Sequence, residues 1–376
     1  MNEGKIQIKR DWKEVFQISN SIKEFGERIL PVFLNRQRWF GAKSANIKRY
    51  HIEQALPYKM SNGRTVFILF VEIVFQTSNT ETYLLPIISD LKPEDEQGVI
   101  CHLTNEKGEF KGCLIDAIYS KVFRNELFFN IVHSKRVRLP AGELKFSKGR
   151  VLRGTSDQRK PKSEVLKLEQ SNSTLVYDNK YYLKIYRKLF RDNNPDLELT
   201  RFLSEKTNFP NSPNFAGGIE WVRDGFYTVS IGLMQEKVEN QGEAWNDTLN
   251  EIKGVFDRVN QMEITSADLP KADLYKTLDR KDVPEIYKKL FGDGFLDKIE
   301  KLAVRTAEMH IALFSEKADR YFNPDPFNSD YTVWLLNRVM YMFDARFHLL
   351  EQNINKLKGV AYRSEEHTSE LQSLLI

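Results

Sequence analysis

Lys184 stands among apolar and aromatic residues in the stretch "YYLKIYR". An ammonium there needs a partner or a purpose, because it is compact and strongly hydrated. Glu198, farther along the chain, can supply the partner. A lysine held by a carboxylate is a positioned point charge suited to gripping phosphate oxygens. Taken singly, Lys184 reads better as an exposed edge-strand lysine; position and partner together reverse that. Upstream, Ser171, Asn172, Ser173 and Thr174 in "QSNST" offer backbone N–H groups and hydroxyls to phosphate oxygens. As a motif this is weak, since Ser/Asn turns are common. Downstream, the backbone of Gln235, Glu236, Lys237 and Val238 can meet the edge of a base.

The elements that must position these groups follow from the pattern. "VLKLEQ" from 165 reads as a strand, "LVYD" as its neighbour after polar "SNST", and "YYLKIYR" as a third strand after a turn at 178–180. In "NNPDLELTRFLSEKT", Asn194 is an N-cap, Pro195 the first helical residue and Asp196 part of the first turn, with Leu199, Phe202 and Leu203 on one face. "IEWV" and "FYTVSIGLM" are two further strands, joined through Arg223, Asp224 and Gly225. From Trp245 the period becomes helical, with Leu249, Ile252, Val255, Phe256 and Val259, then Leu296, Ile299, Leu302, Thr306 and Met309.

Three strands, a helix, two strands and a helical part form the element order of a protein-kinase-like nucleotide-binding lobe. That architecture places a lysine on its third strand and an acidic residue on the next helix, the places of Lys184 and Glu198. Neither GxGxxG nor GxxxxGK[ST] is present, which disfavours dinucleotide and P-loop folds. The rest of a kinase site, an H-x-D loop and a metal-binding Asp-Phe segment, has no match among the six histidines or anywhere else in the 376 residues. His310 and His348 lie on amphipathic helices and read as packing histidines.

Residues 1–90 read as an α+β unit with a helix over 18–34 and strands near 51–55, 66–75 and 82–88. "SNGRT" at 61–65 marks a hairpin turn, since Asn and Gly tolerate positive φ. Residues 91–164 read as a connector, with a basic, solvated loop over "KFSKGRVLRGTSDQRKPKSE". In "RQRWFGAK", Arg36, Arg38 and Lys43 beside Trp39 and Phe40 form either a contact surface for sugar, phosphate or partner, or cation–π packing, which is favoured. The 56 basic and 52 acidic residues leave a charge of +4, too balanced to indicate nucleic acid or a membrane surface. Cys101 and Cys113 are too few and too far apart for a disulfide scaffold or a metal motif. With no apolar signal core or spanning segment, a cytoplasmic location is expected.

The order of short motifs resembles bacterial maltokinases, including the maltokinase half of trehalose synthase fusions. "LPVFLNRQRWFGAK" at 30–43 and "YLLPI" at 83–87 look like the N-terminal cap of that family. "EQSNSTLVYDNKYYLKIYRKL", "NPDLEL", "VENQGEAW", "RTAEMH" at 305–310 and "NPDPF" at 323–327 follow in its order. The resemblance implies transfer of the ATP γ-phosphate to maltose, giving maltose 1-phosphate for α-glucan synthesis, with Mg²⁺ required. It makes Lys184 and Glu198 the phosphate-binding pair. The implied fold is α+β and protein-kinase-like, of the aminoglycoside-phosphotransferase type. It comprises a cap at 1–90, a connector at 91–164, a five-stranded ATP-binding lobe with hinge at 165–238, and an incomplete helical C-lobe at 239–362.

In that family an H-G-D loop and a D-F-E segment follow the helix that here ends near "NINKLKGVAY". Instead "RSEEHTSELQS" at 363–373 matches a translated sequencing-library adapter, so 363–376 is expected to be a non-native tail and the chain an inactive, truncated kinase. "IKRDWKEVFQ" resembles the last strand of the amylase-like part that precedes this region in the fusions, so Met1 is expected to be an internal start and association with trehalose synthase is a possible partnership. The alternatives are a non-catalytic pseudokinase or nucleotide- or partner-binding module, or the C-terminal part of a bifunctional trehalose synthase/maltokinase. A shortened helical lobe is expected to expose Val333, Leu336, Val339, Met340 and Phe343.

Overall fold

A computed structural model describes the chain except for residues 1–3, 44, 77–79, 156–159, 167–170, 192, 226, 263, 265–267, 271–278, 316–321, 325 and 354–376. It divides into two compact units, Met1–Ser315 and Glu316–Ile376. The expected tail at 363–376 lies outside the described residues.

The first unit is built on two seven-stranded sheets. One contains β1 (Lys5–Gln7), β2 (Ile47–Lys59), β3 (Thr65–Phe75), β4 (Glu81–Asp90), β5 (Val99–Thr104) and β6 (Phe110–Asp116), in the order β1-β5-β6-β4-β3-β2. The run "VFILFVEIVF" is apolar apart from Glu72 because β3 is covered on both faces. Phe67, Leu69, Val71 and Ile73 pack under the N-terminal helices, whereas Val66, Ile68 and Phe70 join the core shared with the second sheet. The N-terminal helices are α1 (Glu14–Gln17), α2 (Ser19–Glu24) and α3 (Leu30–Arg36), with a π-helical turn at Phe25–Ile29 between the last two. The single helix expected over 18–34 is therefore a helical run with a local irregularity, and its Phe25, Ile29, Phe33 and Leu34 are buried. "SNGRT" makes the β2–β3 turn, with Gly63 at φ +82° and Met60 N–H bonded to Arg64 O at 2.9 Å.

The helix α4 (Lys121–Val132) lies in the shared core, so it carries no clean polar face. Two of its buried polar side chains share a network: Glu126 accepts from Tyr58 Oη at 2.7 Å and from Ser61 N–H at 3.0 Å, and Asn130 Nδ2 donates to Tyr58 Oη at 2.8 Å.

The second sheet comprises β7 (Arg136–Leu139), β8 (Gly142–Lys148), β9 (Ser163–Val165), β10 (Ser173–Tyr177), β11 (Tyr181–Ile185), then, after β12 (Lys188–Leu189) and α5 (Pro195–Lys206), β13 (Phe215–Arg223) and β14 (Thr228–Glu236). Its order is β7-β8-β13-β14-β11-β10-β9. Two expectations are corrected here. The lobe has seven strands rather than five, because β7 and β8 extend it. The stretch 91–164 is not a simple connector, since it supplies β5 and β6 to one sheet and β7, β8 and β9 to the other. "KFSK" accordingly belongs to a strand, and Leu152 in the supposed solvated loop is fully buried.

The two helices packed on the second sheet meet opposite faces at a glycine pair. A side chain at Gly217 would run into Ile131 of α4, and one at Gly218 would meet Arg201 at 3.0 Å and Leu197 at 3.2 Å, both on α5. Adjacent residues of a strand face opposite ways, so two successive glycines let both helices approach.

The sheets are joined where β11 runs on into β12, which pairs with β4 of the first sheet. At that crossing Arg187 is fully buried. Its guanidinium pairs with buried Asp116, donates through Nε to Ser173 Oγ at 2.8 Å, and stacks over Trp39 at 4.5 Å. Burial pushes the Asp116 carboxyl above its usual range, with Arg187 acting in the opposite direction.

The helical remainder of the first unit contains α6 (Ala244–Gln261), α7 (Glu285–Phe291) and α8 (Asp293–Phe314), and Lys298 of α8 bonds Asp247 and Glu251 of α6 at 2.9 Å each. In the second unit, α9 (Ser329–Asn353) exposes Val333, Leu336, Val339, Met340 and Phe343 as expected.

Removing Asp116 leaves a buried guanidinium without its carboxylate. Asp116→Ala is expected to cost about 3–5 kcal/mol in urea unfolding, and the double change Asp116→Leu with Arg187→Met to cost less. A single-variant loss below about 1 kcal/mol would show that the pair does not hold the crossing. Cys101 and Cys113 are buried, and burial pushes the Cys101 thiol up to about 12. Alkylation by iodoacetamide is therefore expected only under unfolding conditions; labelling of the native protein at the rate of free cysteine would contradict the burial.

Candidate nucleotide-binding site

Lys184 is the penultimate residue of β11, opposite Thr174 of β10 and Leu233 of β14. Its Nζ donates to Asp196 Oδ2 at 3.0 Å, and Tyr186 Oη donates to the same oxygen at 3.2 Å. Burial, then the Asp196 charge, raises Tyr186 far above the usual phenol range, so it stays a donor. The side chains of Lys184 and Asp196 are 29% and 38% exposed, open enough to reach an incoming phosphate.

Local sequence explains why the partner is Asp196. Asn194 caps α5 by accepting the Asp196 N–H at 3.0 Å, and its own N–H donates to Ser230 Oγ of β14 at 3.0 Å. The helix start is thus fastened to the sheet beside Lys184, and its second residue is the carboxylate within reach. This corrects the expected pair: Lys184 is held by Asp196 and not by Glu198. Residues two apart on a helix do not share a face, so with Asp196 turned toward Lys184, Glu198 is directed elsewhere. Asp196 had a sequence signal, its place in the first turn behind an N-cap, but that signal also serves ordinary helix starts.

The expected phosphate cover divides between the two faces of the sheet. Thr174 shares the face of Lys184, whereas Ser173 turns to the opposite face and is engaged by Arg187. Ser171 is exposed and Asn172 half-buried at the entry to β10, while Glu169 and Gln170 lie outside the described residues. At the expected hinge, Gln235 remains in the sheet, opposite Tyr182 and Phe215. The N–H groups of Glu236 and Lys237 bond to Asn214 O and Lys180 O, each at 2.8 Å. Val238 is exposed, and among the described residues its N–H has no such bond, so it is the hinge position best able to donate to a ligand. Among the described residues no group of three His, Cys, Asp or Glu could hold a metal ion, so no residue is assigned to Mg²⁺. "RQRWFGAK" is partly packing: Trp39 and Phe40 are buried, with Tyr83 and Arg187 against them.

The fold is mixed α+β, with a cap sheet ahead of a lobe whose strands and helix follow the kinase-like order and place Lys184 against the start of α5. Residues 33–119 match the model of the maltokinase N-terminal cap domain, and over that segment the chain is maltokinase-like. Solved structures of glucosamine kinase are similar at low identity. One, in complex with glucosamine, ADP and inorganic phosphate, is 11% identical, covering 96% of this chain and 62% of that one at a TM-score of 0.44. Crystal form A is 11% identical over 96% and 62%, with a TM-score of 0.42, and crystal form B is 12% identical over 81% and 51%, with a TM-score of 0.38. The chain thus spans less than two thirds of the length of these kinases. No helix among the described residues is long and apolar enough to cross a membrane.

Replacing the cap residue tests the local account of the site. Asn194→Ala is expected to lower stability by about 1 kcal/mol and to loosen the Lys184–Asp196 pair. An unchanged unfolding midpoint would show that the cap bond does not hold the helix start.

Proposed function

We propose that the chain is the cap and nucleotide-binding portion of a maltokinase-like sugar kinase, a cytoplasmic phosphotransferase that moves the ATP γ-phosphate to maltose. The cap match at 33–119 carries this reading, and the Lys184–Asp196 pair supports it. In this reading Lys184 meets the α- and β-phosphates, Asp196 holds its ammonium in place, and the Val238 N–H donates to the adenine edge. A bound Mg²⁺ would neutralise charge on the phosphates. Maltose, as acceptor, and any association with trehalose synthase belong to the same proposal.

Phosphotransfer also needs an aspartate to orient the acceptor hydroxyl and another for the metal. The sequence has neither an H-x-D nor an Asp-Phe segment. This chain is therefore proposed to bind ATP without phosphorylating maltose, which makes its nucleotide affinity the informative measurement. Calorimetric titration with ATP is expected to show saturable binding, weakened at least about tenfold in Lys184→Met and Asp196→Ala through loss of a charge-assisted contact. Glu198→Ala should bind nearly as the parent does. Undetectable ATP binding would refute the lobe assignment, and maltose 1-phosphate produced by this chain would refute its inactivity.

A further inference from the structure

A cleft in the first unit lies on the face of the second sheet away from Lys184. It has a volume of about 320 Å³ and is walled by Arg36, Arg38 and Trp39 on the cap side and by Asn172 and Ser173 on the lobe side, with Tyr119 between. Ser173 faces it while Thr174, the next residue, faces Lys184, so the cleft and the nucleotide site lie on opposite sides of the strand.

The lining has the chemistry of a small anion site. Arg36 and Arg38 are exposed, and guanidinium groups recognise phosphate oxygens in a fork. Trp39 is 6% exposed, and among the described residues its indole N–H has no acceptor. A buried donor left unpaired costs free energy, which a ligand oxygen would recover once a small shift of the ring opens the N–H to the cleft. Asn172 and Ser173 add an amide and a hydroxyl, and the exposed carboxylate of Glu96 can accept from a hydroxylated ligand. The volume lies at the small end of ligand pockets.

The geometry points to this cleft as a second ligand site, which takes a small phosphate-bearing molecule with hydroxyl groups, of the size of a sugar phosphate. Arg36 and Arg38 take the phosphoryl group, and the Trp39 N–H and Glu96 take ligand oxygens and hydroxyls. An occupant would also touch the first residues of β10, one position from the Lys184 face, and so would be felt at the nucleotide site. The inference does not depend on the proposed kinase reaction.

The test uses the full chain without nucleotide, titrated calorimetrically with glucose 6-phosphate, inorganic phosphate and glucose, while the Trp39 indole N–H resonance is followed by NMR and assigned through Trp39→Phe. Saturable binding of glucose 6-phosphate that shifts that resonance is expected, with no binding of glucose. In Arg36→Gln/Arg38→Gln the dissociation constant should rise about tenfold or more, and in Lys184→Met it should stay unchanged. Inorganic phosphate binding as tightly as the sugar phosphate would support the anion site and make the phosphoryl group the recognised part. The inference is overturned if neither phosphate compound binds, or if binding survives the double arginine change and is lost in Lys184→Met. Circular dichroism of each variant separates loss of binding from loss of fold.

Discussion

A fully buried guanidinium holds the two sheets together. Arg187 lies at the point where the chain leaves β11 for β12, and therefore at a step in which a lobe strand runs directly into a cap-sheet pairing. A charge there is tolerable only because each side of the fork is met: Asp116 comes from the end of β6, Ser173 from the start of β10, and the Trp39 ring covers the face of the ion. The backbone takes part as well, since Leu84 N–H bonds to Arg187 O at 2.7 Å. Four separate segments thus converge on one residue, and the relative placement of cap and lobe follows from satisfying it.

The same requirement explains why the cap is apolar on two sides. β3 and β4 bury alternate residues in separate cores: Tyr83, Leu85 and Ile87 lie under the N-terminal helices, and Leu84 and Ile88 lie against the lobe. Such a sheet cannot present a solvated face, so the lobe and α4 are part of its structural completion. A one-residue slip in β4 would exchange the two cores and move the Leu84 carbonyl and amide away from Arg187.

Much of this was legible in the sequence, and the parts that were not have a common cause. Strands with turn chemistry at their ends, such as β10 and β11 with Asp178 at φ +51° and Asn179 at φ +54°, are specified locally. The capped start of α5 is equally local, since Asn194 and Pro195 declare it. The strands β7 and β8 were missed because their sequences are rich in Lys, Arg and Glu, whereas β9 is the strand expected beside β10, lying earlier in the chain than expected and meeting the expected range only at Val165. β8 becomes a strand by pairing with β13, far away in the chain, which no window of residues records. The Lys184 partner failed for a similar reason. Both Asp196 and Glu198 lie near the start of the helix, and the choice between them depends on the angle at which α5 leaves the sheet, which the Asn194–Ser230 bond sets.

That bond and the Arg187 cluster act on the candidate site from opposite sides. Ser173 is drawn toward Arg187 on the cap face, which fixes the pleat of β10 and turns Thr174 to the face where Lys184 stands. On that face, Ser230 of β14 fixes the helix start that brings Asp196 to within 3.0 Å of Lys184. The lysine itself forms neither constraint. Its position is the intersection of a strand register set by a buried ion pair and a helix origin set by a single hydroxyl. The charge that looked out of place among the apolar residues of "YYLKIYR" is therefore held by groups on both faces of the sheet, and a ligand on either face would act on the same two strands.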